Sequence, residues 1–374
     1  MSTIIDLTDV SAAYGTRLLA EAGHEVIRIE PRSGDRLRRL GPLVTENPDL
    51  EHGPYHMFLN MGKKSVTLDL KNQTGCKVLL DLVRICDVLV SNNPLPVDET
   101  VLRQTNPRLV VTVLEDELPE ICAYARSGLM YITGQPSERP VLAGAHVAHV
   151  IVGLYVAIAT AAAMNMQDLL GEGDVVRVSA QQSLESLMEQ AVIAFTSSGE
   201  ITHRRGLRGQ ITAISGALEC ADGHWMVSVP PNPAAWTKIK EWVGDPALTM
   251  DPALDDDTGR NQKRDFILDR LEAWSKQFSK EYLVTGAQSR HMAASPVATP
   301  VELVRDPQLL ERGFLRDIDH REFGRITVPG GAISTARHSE LHQAPSLGQH
   351  TAEIMNRLGY SKYDQQALLE SGVI

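Results

Sequence analysis

Short β-branched stretches alternate with amphipathic stretches of helical period through the first 115 residues. That alternation confines the chain to a parallel sheet layered by helices. Residues 4–7 (Ile4-Ile5-Asp6-Leu7) read as a strand, 12–23 as an amphipathic helix closed by Gly23, and 25–29 as a second strand. Further strands follow at 65–70, 87–90 and 109–113, with a helix over 75–85. Helical segments of this length between such strands serve as right-handed crossovers, and the expected fold class is α/β with a Rossmann-like sheet.

The sheet pattern continues past an apolar run. Residues 147–166 contain no Asp, Glu, Lys or Arg, a length that nearly spans a bilayer. His149, Thr160 and Asn165 interrupt the run and flanking Trp, Tyr or Lys anchors are missing, so a buried helix of a large α/β domain is expected and no membrane association. A strand at 174–178 and a helix at 181–197 complete the first part. The net charge of -11 argues against a nucleic-acid surface, which needs a basic stripe. Four cysteines without ligand spacing and an N-terminus without a basic n-region lead to an expectation of reduced thiols and a cytoplasmic protein.

A composition shift marks residues 199–211, polar and basic through His203, Arg204, Arg205 and Arg208, as a linker. Beyond it, 212–298 reads as a smaller α+β domain. It has a hairpin turn at Asp222-Gly223, helices over 234–243 and 261–278, and an acidic loop at 251–257. Residues 299–374 form a return segment that ends in helices near 351–358 and 363–371.

Residue chemistry alone leaves few site candidates. There is no GxGxxG, Walker A or GxSxG motif. Arg32 and the turn Gly34-Asp35-Arg36-Leu37-Arg38-Arg39 offer guanidinium groups either to an anion or to solvent. His146 and His149 are three apart and share a helix face, but no third ligand is recognisable nearby, and no metal site is expected.

Several strings together resemble the class III CoA-transferase family, which includes the acyl-CoA racemases. They are Ile5-Asp6-Leu7-Thr8-Asp9-Val10, the stretch 18–31, Gly34-Asp35 with Gly41-Pro42, and Asn60-Met61-Gly62-Lys63-Lys64-Ser65-Val66-Thr67-Leu68-Asp69-Leu70-Lys71. Asp87-Val88-Leu89-Val90-Ser91-Asn92, the stretch 171–179, Asp306-Pro307 and 344–351 follow in colinear order. The resemblance implies a large Rossmann-like domain built from both chain ends (1–198 and 299–374), a small α+β domain at 212–298, and an interlocked dimer. It implies coenzyme A or acyl-CoA as substrate, with Arg32, Leu68, Lys71, Asn92 and Asn93 at the positions that meet the nucleotide. Lysine and arginine at strand ends can meet phosphates, and Leu68 is expected to pack on the purine.

The family's reaction uses an aspartate near the start of the long helix. Its carboxylate attacks the acyl-CoA thioester to give a mixed anhydride, and then an aspartyl-CoA thioester. That position falls on His149 in Val147-Ala148-His149-Val150, so no catalytic residue is expected in this chain. The segment 114–119 is short and acidic where the family has a longer Gly-rich one, and the region after Asn93 is also shortened. The expectation is a non-catalytic subunit of a heteromeric CoA-transferase. Its partner would be an Asp-bearing paralogue in an interlocked heterodimer or heterotetramer, and its donor a thioester such as succinyl-CoA. The alternatives are a stand-alone racemase or lyase using His149 as general base, and a non-enzymatic CoA-binding protein.

Overall fold

The computed structural model describes residues 1–41, 53–116, 118–208, 212, 214–321, 323–333 and 342–374. Pro42, residues 209–211 of the expected linker and Glu117 of the acidic segment lie outside the described residues.

The first compact unit comprises Met1–Leu129, Ala143–Val192 and Pro307–Ile374. Its centre is a six-stranded, all-parallel sheet of β1 (Thr3–Leu7), β2 (Glu25–Glu30), β3 (Lys64–Thr67), β4 (Val88–Asn92), β5 (Val110–Leu114) and β6 (Val175–Val178). The spatial order is β3-β2-β1-β4-β5-β6, the doubly wound Rossmann arrangement that the alternation predicts. Successive strand residues feed opposite faces, and both faces are covered. Ile5, Ile27, Leu89 and Val111 pack under the helices Gln73–Val83 and Thr351–Arg357, and Ile4, Val26, Val88 and Val110 pack under Ala13–Glu21 and Val147–Leu170.

The chain end is tied to edge strand β3. Asp69 N–H donates to Val373 C=O at 2.8 Å, and Thr67 N–H to Thr351 Oγ1 at 3.0 Å. The helix Ala13–Glu21 crosses the long helix at a glycine pair, where a Cβ on Gly15 would stand 2.5 Å from Gly153 O. Only glycine permits that approach.

The long helix Val147–Leu170 corrects one expectation. It is buried on one stripe only, through Ala148, Val152, Gly153, Val156, Thr160, Ala163 and Gln167. Leu154, Ile158, Met166, Leu169 and Leu170 stand exposed on the other side. Period 3.6 directs one face to the sheet, and an apolar composition does not itself supply a cover for the second. The helix is long and apolar enough to cross a membrane. The expected helix at 181–197 is broken into Ala180–Glu185, a 3₁₀ turn Ser186–Met188 and Glu189–Ser198. An antiparallel hairpin, β10 (Leu315–His320) with β11 (Gly324–Pro329), belongs to the same unit.

The second unit, Met130–Leu142 with Ile193–Asp306, takes in residues 130–142, which the sequence boundaries put in the first domain. It holds a three-stranded antiparallel sheet of β7 (Ser215–Cys220), β8 (Gly223–Ser228) and β9 (Ala293–Pro296). Its core gathers around Trp225 and Trp236 with Ile239, Leu268 and Leu271.

Candidate functional site

Parallel strands all end on one edge, and the direction of winding reverses between β1 and β4. Ligands of doubly wound sheets sit outside that carboxyl edge at the reversal. Here the β1–helix loop and the end of β4 are joined directly, since the Asp9 N–H donates to Asn92 Oδ1 at 3.0 Å. The Asn92 Nδ2 is buried and has no partner among the described residues.

The expected CoA-contacting residues all follow strands of this edge. Arg32 comes after β2, Leu68 and Lys71 after β3, and Asn92 and Asn93 at the end of β4. Arg32, Lys71 and Asn93 are exposed. Leu68 is not available as expected: its side chain is 2% exposed and belongs to the core with Val66, Val78 and Leu79. A buried leucine cannot offer a face to a purine.

Beneath the edge lies a buried charge network that explains two of the sequence strings. Asp6, on β1, accepts from Lys63 Nζ (2.9 Å), Arg28 Nη1 (2.9 Å), Thr8 N–H (2.9 Å) and Thr16 Oγ1 (2.8 Å). Burial alone would raise the Asp6 carboxyl, but the adjacent Lys63 and Arg28 charges hold it well below the usual carboxylate range. Burial pulls the Lys63 ammonium down to about 8 against the opposing pull of Asp6. Arg38 from the arginine-rich turn is buried against Glu30 at 2.6 Å, so that guanidinium is structural and only Arg36 and Arg39 face solvent. His56 completes the network, its Nε2 3.2 Å from Pro345 O and its Nδ1 2.9 Å from Asn60 Nδ2. A carbonyl can only accept, which places the proton on Nε2. Burial takes this imidazole down to about 3.

His149 sits in the first turn of the long helix. With Val10, Tyr14, Tyr55, Phe58 and His146 it lines a largely apolar pocket of about 380 Å³. Its Nδ1 is buried without a partner among the described residues. Burial lowers the imidazole's affinity for a proton, partly opposed by Glu120. A larger cleft of about 580 Å³, lined by Lys64, Asp317, His342 and His350, holds none of the expected site residues.

Sequence reading missed Glu120, the first residue of the helix Glu120–Arg126. Its Oε2 lies 2.6 Å from His146 Nδ1, and the His146 ring stacks on that of His149 with centroids 5.5 Å apart and planes 7° apart. One ligand atom from each of Glu120, His146 and His149 lies within 4.8 Å of the others. Beside the two histidines the fold thus places a carboxylate that lies 26 residues before His146 in the sequence. The acidic segment before it also has a structural use. Asp116 accepts from Ser179 Oγ and from the Ala180 and Gln181 N–H groups at 2.9, 2.7 and 3.2 Å, capping the helix Ala180–Glu185.

Chemically, the pocket offers an imidazole where the resemblance places a nucleophilic carboxylate. The nearby Glu120 has one oxygen committed to His146. Imidazole can accept a proton or bind a metal. It cannot carry an acyl group through the anhydride and thioester steps that a carboxylate supports.

Comparison with known proteins agrees with this architecture. The succinyl-CoA:mesaconate CoA-transferase of Haloarcula hispanica is 28% identical, with 95% of each chain covered. The succinyl-CoA:(R)-benzylsuccinate CoA-transferase subunit BbsE of Thauera aromatica is 27% identical over 99% of this chain and 97% of that one. The succinyl-CoA–L-malate CoA-transferase alpha subunit of Chloroflexus aurantiacus is 26% identical over 95% of this chain and 87% of its own. A CAIB/BAIF family protein from Brucella suis shares the fold, with a TM-score of 0.85 at 23% identity over 96% of this chain and 98% of that one. The sequence pattern of CoA-transferase family III matches residues 2–116 and 119–351. The chain belongs to CoA-transferase family III.

Proposed function

We propose that this chain is the non-catalytic subunit of a heteromeric class III CoA-transferase, interlocked with an aspartate-bearing paralogue. The complex would move CoA from a donor such as succinyl-CoA to a carboxylic acid. What supports the reading is His149, an imidazole in the first turn of the long helix, where the sequence resemblance puts the family's aspartate. The open apolar face of that helix, with Leu154, Ile158, Leu169 and Leu170 exposed, supports a second chain as its cover. Two relatives are named as subunits of CoA-transferases. Arg32, Lys71, Asn92 and Asn93 remain this chain's candidates for the CoA nucleotide, at a strand edge suited to a phosphorylated ligand.

Co-expression with an aspartate-bearing paralogue tests the reading. The isolated chain is expected to show no transfer from succinyl-CoA, the complex to be active, and His149→Ala in the complex to retain most activity. Robust transfer by the isolated chain overturns the proposal. So does α-deuterium exchange of an acyl-CoA by the isolated chain that His149→Ala abolishes, which would make His149 a general base.

A further inference from the structure

We infer that Glu120, His146 and His149 form a binding site for a borderline divalent transition metal of the Zn²⁺ class, two of whose ligands, His146 and His149, line the apolar pocket. The three side chains come from two helix starts that the fold brings together, and one ligand atom of each lies within 4.8 Å of the others. Ligands of a tetrahedral zinc at about 2.0–2.1 Å stand about 3.4 Å apart. Side-chain adjustments of about 1 Å therefore convert this cluster into a coordination set. The Glu120–His146 pair opens from 2.6 Å, and the wider separations close.

Two buried polar atoms in the cluster lack partners among the described residues, His149 Nδ1 and Glu120 Oε1. A bound cation supplies what such atoms lack. The approach is also conformationally set. Ala145 and His146 are consecutive non-glycine residues with φ of 61° and 50°, so the backbone adopts a costly left-handed turn where it presents His146. Tyr55 packs edge-on against the His146 ring at 4.8 Å and limits its rotation.

The helix N-terminus disfavours a cation, and the Glu120 charge opposes that effect. Two nitrogens and one carboxylate oxygen suit Zn²⁺, Co²⁺ or Ni²⁺ better than Mg²⁺ or Ca²⁺, which require oxygen ligands. Three protein ligands leave a fourth position for water or for a carboxylate or thiolate. The inference does not depend on the subunit being silent, because it concerns only side chains of this chain.

Calorimetric titration of EDTA-treated full-length chain with ZnCl₂ tests it, with MgCl₂ as the comparison. One Zn²⁺ per chain is expected, with no comparable Mg²⁺ binding. His149→Ala and Glu120→Gln should each weaken Zn²⁺ by at least about 100-fold. Cys122→Ser removes the exposed thiol two residues from Glu120 and should leave the affinity unchanged. Circular dichroism confirms that each variant is folded. Zn²⁺ affinity unaltered in both ligand variants, or lost with Cys122→Ser, overturns the assignment, as does the absence of Zn²⁺ binding to the unaltered chain.

Discussion

Replacing Lys63 by Met tests whether the distinctive string Asn60–Lys64 serves the fold rather than a phosphate. Lys63 is 3% exposed, and its ammonium donates to Asp6 Oδ2 (2.9 Å), Thr16 Oγ1 (2.8 Å), Asn60 Oδ1 (3.0 Å) and Ala13 C=O (3.3 Å). Removing one partner of a buried pair costs about 3–5 kcal/mol, because the other charge stays desolvated. Asp6 would keep Arg28 at 2.9 Å and the two hydrogen bonds from Thr8. The lower end, about 3 kcal/mol, is therefore expected. At a urea m-value of about 3 kcal/mol/M, that lowers the midpoint followed by circular dichroism by about 1 M. The double variant Asp6→Asn with Lys63→Met should be less destabilised than the sum of the singles, by about 1–3 kcal/mol. A single-variant loss under 1 kcal/mol, or strict additivity, refutes the network as described.

Two further outcomes follow from the same packing. His56 is neutral in the fold down to about pH 3, whereas the unfolded imidazole takes up a proton below 6.5. The unfolded state then binds more protons, so stability falls as pH drops through that window, by about 1.4 kcal/mol per unit, or about 2 kcal/mol at pH 5. His56→Gln should remove roughly one proton from that slope, and an unchanged slope contradicts the assignment. Gly15→Val should destabilise by about 1–3 kcal/mol, read by thermal melting, because its Cβ would meet Gly153 O at 2.5 Å. A neutral result would mean that the two helices separate easily.

The sheet was legible in the sequence because both faces of every central strand are covered, which leaves near-continuous runs such as Val88-Leu89-Val90 and Val110-Val111. The site was legible only through the resemblance, which puts His149 where the family's aspartate is expected. Glu120 was not, because periodicity fixes neighbours along an element and carries no information on which helix start meets which. The arginine turn was ambiguous for a related reason. Arg36, Arg38 and Arg39 look alike in sequence, and only the position of Glu30 on β2 decides that Arg38 turns inward. The bare face of the long helix was hidden by its composition, since Ile158 and Val156 are equally apolar although one is 65% exposed and the other fully buried.

The silent-subunit reading stands or falls on whether this chain ever carries a covalent intermediate. Intact-protein mass spectrometry of both subunits after incubation with succinyl-CoA measures that directly. The expected result is a covalent CoA thioester on the aspartate-bearing partner and an unmodified mass for this chain. A CoA adduct on this chain, mapped to Glu120 and lost in Glu120→Gln, would contradict the account and make Glu120 the nucleophile.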